Sequence, residues 1–372
     1  MKLLADENMP FVQELFGDGA EIVTCPGREI RPEQLRDVDV LLVRSITRVD
    51  AALLAEAERL SFVGTATIGC DHIDTELLAR RGIAFASAPG CNKVAVGDYV
   101  LAALLRVAGH KGWSLKDKTL GVVGVGNTGV EVAARARALG MTVLLCDPPR
   151  ALKDTTAFVG FEQALGADIV SFHVPLTHGG DHPTWHLLDQ DAIAGLSDDQ
   201  VLINACRGDV WDNRALLARQ QLAHQQGSSQ LTLVMDVWEH EPEVLASLVP
   251  HVLLATPHIA GYSLEGKARG TFALYRALCE QQQVSMRHTP EQLLPPPPIG
   301  AVYLNQAPDQ ALVASLVRLV YDIEQDDTAF RQALGQPGFF DRLRKQYPQR
   351  RELGSVLLSG MTDAGEALGF KV

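Results

Sequence analysis

Residues Thr119 to Asp147 constrain this chain more than any other stretch. An apolar run, Leu120 to Val123, leads into Gly124-Val125-Gly126-Asn127-Thr128-Gly129; a helical stretch follows, and a second apolar run, Thr142 to Cys146, ends on Asp147. Strand, glycine turn, helix, strand and terminal acid in this order and spacing form the pattern that binds a dinucleotide. Gly124 permits the tight turn, Gly126 lets backbone approach a pyrophosphate, and Gly129 lets the helix pack close to the strand, while the helix N-terminus offers N–H groups to the anion. Asp147 is then expected to accept hydrogen bonds from the adenosine ribose. A carboxylate there repels a 2'-phosphate, so NAD is expected rather than NADP, with Arg150 as the one residue that argues back.

At 372 residues the chain is too long for one average core and implies two or three domains. A net charge of -12 and a pI near 5.4 work against nonspecific binding to nucleic acid or to an anionic membrane. The basic cluster Arg342, Arg344, Lys345, Arg350 and Arg351 therefore reads as a solvated helix face or a subunit contact. The N-terminus opens on a strand-like segment ending at Asp6, without the pattern of a signal peptide, and no apolar stretch is long enough to span a bilayer. The six cysteines (Cys25, Cys70, Cys91, Cys146, Cys206, Cys279) include no C-x-x-C pair, so reduced thiols in a cytoplasm are expected.

Strand signals at Leu3 to Ala5, Val38 to Val43, Phe62 to Thr65 and Ile83 to Ala86, with helical stretches at Val49 to Arg59 and Thr75 to Arg81, predict a small parallel α/β unit. Ala88 to Asn92 punctuates the chain, and a helix is expected from Val94 to Ala108. After the glycine turn, strands are expected at Ile169 to His173, Val201 to Asn204, Leu231 to Val237 and Val252 to Ala255, as a doubly wound sheet requires. A helix from Leu264 to Gln283 is expected to cross back to the first domain, Pro295 to Pro298 is a stiff linker, and helices near Gln310 to Glu324 and Gly338 to Gln346 follow. This tail is too small for a large core, so its apolar stripes are expected to bury against another subunit. The expected architecture is two Rossmann-like or flavodoxin-like parallel-sheet domains around a cleft, with Ala88 to Asn92 and Thr256 to Gly261 as hinges. The first is discontinuous (1–91 and 260–285), the second binds the dinucleotide (92–259), and a small C-terminal domain (299–372) is set apart.

Three strand ends carry groups suited to chemistry: Ala205-Cys206-Arg207-Gly208-Asp209, Asp236-Val237-Trp238-Glu239-His240-Glu241-Pro242, and Thr256-Pro257-His258-Ile259-Ala260-Gly261. Oxidising a 2-hydroxy acid needs a base for the hydroxyl proton, a cation for the carboxylate and the nicotinamide for the hydride. His258 can supply the base, Glu241 can hydrogen-bond the other ring nitrogen and favour the imidazolium, and Arg207 offers a planar fork for the carboxylate. Singly, such residues read as a surface ion pair, a turn and a helix cap; three of them at consecutive strand ends downstream of the glycine turn read as a site. In the first domain Ser45 and Thr67 follow strands, Gly64 to Gly69 can present N–H groups to an anion, and Arg44 is either a phosphate ligand or part of a structural ion pair.

With these segments the chain resembles the D-isomer-specific 2-hydroxyacid dehydrogenase family over residues 1 to about 285. The segments Gly124 to Gly129, Asn204 to Gly208, Asp236 to Pro242 and Pro257 to Gly261 carry the likeness, together with Ala5 to Pro10, Val43 to Ser45, Gly64 to Thr67, Ala88 to Asn92, Cys146 to Arg150 and His258 to Ser263. Within the family the likeness is greatest to members that oxidise a small phosphorylated 2-hydroxy acid in vitamin B6 biosynthesis and carry a distinct C-terminal domain for homodimerisation. The resemblance implies NAD as cofactor, Arg207 and Glu241 as catalytic, and His258 as proton donor or acceptor. It implies Asn127, Thr128, Asp147, Val174, Ala205, Cys206, Arg207, Asp236 and Gly261 around NAD, with Ser45, Thr67 and Tyr262 facing substrate. Val174 departs from relatives that place a hydroxyl residue there, and His240 has no assigned role. A dehydrogenase for phosphoglycerate, glycerate or glyoxylate, and an NAD-sensing corepressor-like protein, are the alternative readings. His173, His178, His182 and His186 are interrupted by Gly179, Gly180 and Pro183, so no metal is expected.

Overall fold

The computed structural model describes residues 1–360 and 363–372, and the chain divides into two compact units. The first comprises Met1–Asn92 and Tyr262–Pro296; the second comprises Lys93–Gly261 and Pro297–Val372.

The first unit holds five parallel strands, β1 (Lys2–Asp6), β2 (Glu21–Cys25), β3 (Val40–Val43), β4 (Phe62–Thr65) and β5 (Ala84–Ala86), in the spatial order β2-β1-β3-β4-β5. The period of two along each strand sorts its residues onto two faces. Leu4, Leu41, Val43 and Val63 pack with Leu54 and Leu78 on one side; Leu3, Ala5, Val40, Leu42 and Phe62 pack against Leu274, Tyr275 and Leu278 on the other. The latter three come from the helix Leu264–Gln282, whose N-cap Ser263 accepts from the Gly266 N–H. Each such buried side chain contributes about 2 kcal/mol of hydrophobic stabilisation. β2 was not among the expected strands: it lies at the sheet edge, and its alternation Glu21, Ile22, Val23, Thr24 is too polar and too short to read as a strand. The stretch expected to be helical from Val49 to Arg59 forms only one tight turn, Leu53–Glu56, with Asp50 accepting from the Ala52 and Leu53 N–H groups.

The second unit holds six parallel strands, β6 (Thr119–Val123), β7 (Thr142–Cys146), β8 (Ile169–Phe172), β9 (Val201–Asn204), β10 (Thr232–Met235) and β11 (Val252–Ala255), in the order β11-β10-β9-β8-β6-β7. The order reverses at β6, and ligands of such sheets bind outside the carboxyl ends of the strands at that point. The long helix Lys93–Lys111 packs on the helix Asn127–Ala138 that follows the glycine turn.

Residues after Pro297 extend this second unit. The expected single helix over Gln310 to Glu324 is two, Gln310–Val320 and Ile323–Ala333, because Tyr321 turns to extended backbone and Asp322 caps the second helix at the Glu324 N–H. Apolar residues of this segment pack within this chain: Val313, Leu316 and Val317 of the first helix are buried, and Phe330 of the second, with Phe339 and Phe340 of a further helix Phe339–Lys345, joins the core of the six-stranded sheet, where Phe330 stacks on Trp238 at 5.3 Å between ring centres. The same segment covers the open edge of β11, where Asp327 accepts from the Ala255 N–H at 2.8 Å and Arg331 donates to Val252 O at 2.6 Å. Two short parallel strands, β12 (Ala301–Tyr303) and β13 (Leu357–Ser359), pair beside it. Among the described residues no helix is long and apolar enough to cross a membrane.

Candidate active site

The glycine turn has the geometry a dinucleotide needs. Gly124 has φ +90, and a Cβ there would stand 2.7 Å from the His173 carbonyl carbon; a Cβ at Gly129 would stand 2.0 Å from Gly124 O. At Gly126 an added Cβ would meet nothing within 4 Å, so backbone is open to an approaching ligand. The helix Asn127–Ala138 has no side-chain cap, which leaves its first N–H groups to the anion that the turn invites. These features fit a pyrophosphate. Asp147 at the end of β7 accepts from the Val125 N–H at 2.8 Å and from the Arg150 N–H at 3.1 Å, so it braces the turn while each oxygen keeps a lone pair. The Arg150 guanidinium is drawn to Val125 O and Asp154, which removes the strongest sequence argument for a 2'-phosphate.

The three chemical loops leave neighbouring strands in register, with Met235 opposite both Asn204 and Ala255. The Asn204 side chain organises the first: its Oδ1 accepts from the Cys206 N–H at 3.1 Å and its Nδ2 donates to Arg207 O at 3.0 Å. Ala205 and Arg207 are half-buried, and Cys206 is buried, which pushes its thiol up to about 11 and keeps it protonated. In the second loop the Glu241 Oε1 accepts from the Trp238 N–H and its Oε2 lies 2.8 Å from His258 Nδ1. Burial pushes the Glu241 carboxyl up, but the His258 ring and the Trp238 N–H outweigh this and its pKa is lowered. Among the described residues the imidazole Nε2 has no hydrogen-bond partner.

His258 itself sits at φ +57, with its N–H donating to Asp236 O at 2.6 Å. Asp236, expected around the cofactor, has a local occupation: its carboxylate accepts from Thr256 Oγ1 at 2.7 Å, Ile259 N–H at 2.8 Å and Ala260 N–H at 2.9 Å. Val174 lies against Gly124, and Gly261 closes the stretch that follows His258. The four histidines do not gather. His173 Nε2 pairs with Ser171 Oγ at 2.8 Å, and burial pushes its imidazole down to about 3; His186 pairs with Glu239 at 2.7 Å. Among the described residues no group of His, Cys, Asp or Glu is placed to hold a metal ion.

In the first unit Arg44 and exposed Ser45 follow β3 and Thr67 follows adjacent β4. Arg44 Nη2 donates to Tyr262 Oη at 3.0 Å, which brings two of the expected substrate residues together. Thr67 Oγ1 donates to Gly69 O at 2.9 Å and faces Thr65 Oγ1 at 2.8 Å. Lys267, which the sequence did not single out, lies 4.7 Å from the centre of the Tyr262 ring. It stands five residues after Tyr262, in the first turn of the helix Leu264–Gln282.

The family described as D-isomer specific 2-hydroxyacid dehydrogenase, NAD binding domain, matches residues 99–260. An erythronate-4-phosphate dehydrogenase from Aeromonas salmonicida is 55% identical over 100% of this chain and 99% of its own. The chain belongs to the D-isomer-specific 2-hydroxyacid dehydrogenase family. An erythronate-4-phosphate dehydrogenase from Shewanella oneidensis is 48% identical over 96% of this chain and 95% of its own. Among solved structures, D-lactate dehydrogenase from Aquifex aeolicus complexed with NAD and lactic acid superposes with a TM-score of 0.59 at 24% identity, covering 76% of this chain and 96% of that one. NAD-bound 3-phosphoglycerate dehydrogenase of Entamoeba histolytica gives 0.63 at 24%, covering 76% and 95%. At such identity the likeness is one of fold. The family's NAD-binding domain spans the glycine turn and all three chemical loops up to Ala260. A domain of unknown function matches residues 293–368.

Proposed function

We propose that this chain oxidises 4-phospho-D-erythronate to 2-oxo-3-hydroxy-4-phosphobutanoate with NAD, a step of pyridoxal 5'-phosphate biosynthesis. The substrate assignment is supported by the full-length likeness to erythronate-4-phosphate dehydrogenases. The observation that carries the chemistry is the 2.8 Å contact between Glu241 Oε2 and His258 Nδ1.

NAD, when bound, supplies the hydride acceptor. Gly124, Gly126 and Gly129 with the N–H groups of Asn127 and Thr128 hold its pyrophosphate, Asp147 its ribose, and Val174, Ala205, Cys206, Arg207, Asp236 and Gly261 surround the rest. His258 Nε2 takes the substrate hydroxyl proton as the C2–H bond breaks, and the ionised Glu241 stabilises the imidazolium that forms. Arg207 holds the carboxylate through its fork and polarises the oxygen on C2. Ser45, Thr67, Tyr262 and Arg44, in the substrate-binding domain (1–91 and 260–285), bind the remainder of the substrate, with Arg44 toward its phosphate. The C-terminal domain (299–372) serves homodimerisation, and exposed Leu319 and Tyr303 support that role. Six free cysteines support a cytoplasmic setting.

A panel of 4-phospho-D-erythronate, 3-phosphoglycerate, glycerate and glycolate, followed by NADH absorbance, tests the reading. The highest kcat/KM is expected for 4-phospho-D-erythronate. Preference for an unphosphorylated acid would overturn the substrate assignment and leave the dehydrogenase chemistry standing.

A further inference from the structure

Arg350 belongs to the C-terminal stretch matched by the domain of unknown function, and it is buried. Its Nη2 donates to Ala260 O at 2.6 Å and to Ala95 O at 2.8 Å, and its Nη1 reaches Ile259 O at 3.4 Å. The guanidinium lies 4.2 Å from the centre of the Tyr321 ring. Burial opposes its charge, but Tyr347, Tyr321 and Asp326 around it more than compensate, so it remains a cation. The backbone beyond it is anchored too, since the Leu353 N–H donates to Asp98 Oδ2 at 3.0 Å and Asp98 pairs with Arg135 at 2.8 Å.

Two of the three carbonyls that Arg350 serves follow His258 directly. The N–H groups of the same residues, Ile259 and Ala260, are taken by the Asp236 carboxylate. An acid and a guanidinium thus grip one short piece of backbone through its donors and its acceptors. His258, at the head of that piece, has the positive φ that a non-glycine residue keeps only where its surroundings over-determine it.

We propose that Arg350 is a positioning residue for catalysis, which locks the His258 turn so that the imidazole stays aligned on Glu241. The C-terminal segment thereby serves the chemistry of its own chain, beyond dimerisation. This rests on His258 being the proton acceptor.

The test compares Arg350→Ala and Arg350→Lys with Arg331→Ala, which disturbs the same segment at the β11 edge and leaves the His258 turn alone. In Arg350→Ala, kcat is expected to fall roughly 30- to 100-fold with KM changed less than threefold, because positioning acts on the chemical step. The isotope effect with substrate deuterated at C2 is expected to rise, and millimolar guanidinium to restore part of kcat. Arg350→Lys is expected to fall between, since an ammonium cannot span the carbonyls as a planar fork does. Arg331→Ala is expected to keep kcat.

Histidine-selective 15N spectra, assigned with His258→Asn, need no substrate. They are expected to show the His258 ring proton bonded to Glu241 in the parent and in Arg331→Ala, and exchange-broadened in Arg350→Ala. Folded Arg350→Ala with parental kcat and an unaltered His258 signal would overturn the proposal. So would a loss of activity that higher protein concentration restores, or misfolding of both Arg350 variants without rescue by guanidinium. An inactive parent with an intact His258 signal lost in Arg350→Ala would count against the catalytic reading of His258 and leave the positioning observed.

Discussion

Gly208 lies so close to Trp238 that an added Cβ would stand 1.8 Å from the Trp238 carbonyl oxygen. No rotamer relieves this, because the opposing atoms are backbone. The contact draws the loop carrying Arg207 against the loop carrying Glu241, so one hydrogen atom on Gly208 fixes how two functional loops meet. Gly208→Ala is expected to cost about 2 kcal/mol or more, as overpacking a tight site does, and to lower kcat/KM through a displaced Arg207. Urea unfolding and steady-state kinetics on one preparation check both.

His258→Asn separates the turn from the imidazole. Asparagine enters the left-handed region more readily than other non-glycine residues, so the turn is expected to be kept, while the Glu241 carboxylate loses its 2.8 Å partner at a cost of about 1–3 kcal/mol. Activity is expected to fall roughly 10²- to 10⁴-fold, the usual contribution of a general base. NADH fluorescence titration should give near-parental affinity, and a variant retaining a tenth of parental kcat would remove His258 from the mechanism.

Glu241→Gln keeps the shape of the side chain and removes its charge. The Glu241 pKa is lowered by His258 and the Trp238 N–H against the opposing effect of burial. A carboxyl with a depressed native pKa contributes stability above its unfolded-state pKa and loses it as pH falls through the native value. The stability gap between parent and variant is therefore expected to be full at pH 7 and to close below about pH 4. Denaturant midpoints of both proteins from pH 3 to 7 read this directly. A gap that widens in acid would contradict the assignment, while kcat at neutral pH is expected to drop roughly 100-fold.

Asp147→Ala removes one carboxylate with two local bonds, to the Val125 and Arg150 N–H groups. Losing the cap of the short helix Pro148–Ala151 is expected to cost about 1 kcal/mol. NADH affinity is expected to weaken roughly tenfold or more, as when a hydrogen bond to a charged group is lost. NADPH binding should change less. Calorimetric titration with both dinucleotides gives the ratio, and equal losses for the two would remove Asp147 from ribose recognition.

The elements most legible in the sequence were those whose signal is local. β4 and β9 fall where their apolar runs lie, because a strand buried on both faces must be nearly apolar throughout, and the edge strands β7 and β11 fall there too because each keeps a run of three or more apolar residues. The glycine turn was legible for a similarly local reason, as Gly124 answers a backbone angle of its own and Gly129 a contact five residues away. β2 escaped because an edge strand alternates weakly, and the break at Tyr321 and Asp322 escaped because the apolar period runs through it. The pairing of Arg350 with Ile259 and Ala260 had no sequence signal at all: among Arg342, Arg344, Lys345 and Arg351 it reads as one more surface charge.

The sequence by itself determined the α/β alternation, the dinucleotide turn and the residue types at three strand ends, since these follow from backbone periodicity and short-range sterics. Tertiary structure alone decided that β9, β10 and β11 stand side by side, that Glu241 meets the Nδ1 of His258, and that a C-terminal guanidinium reaches the carbonyls behind that histidine. Those relations depend on strand order and on which buried carbonyls still need a donor. Both are set by the packing of the whole chain, and no window of neighbouring residues contains them.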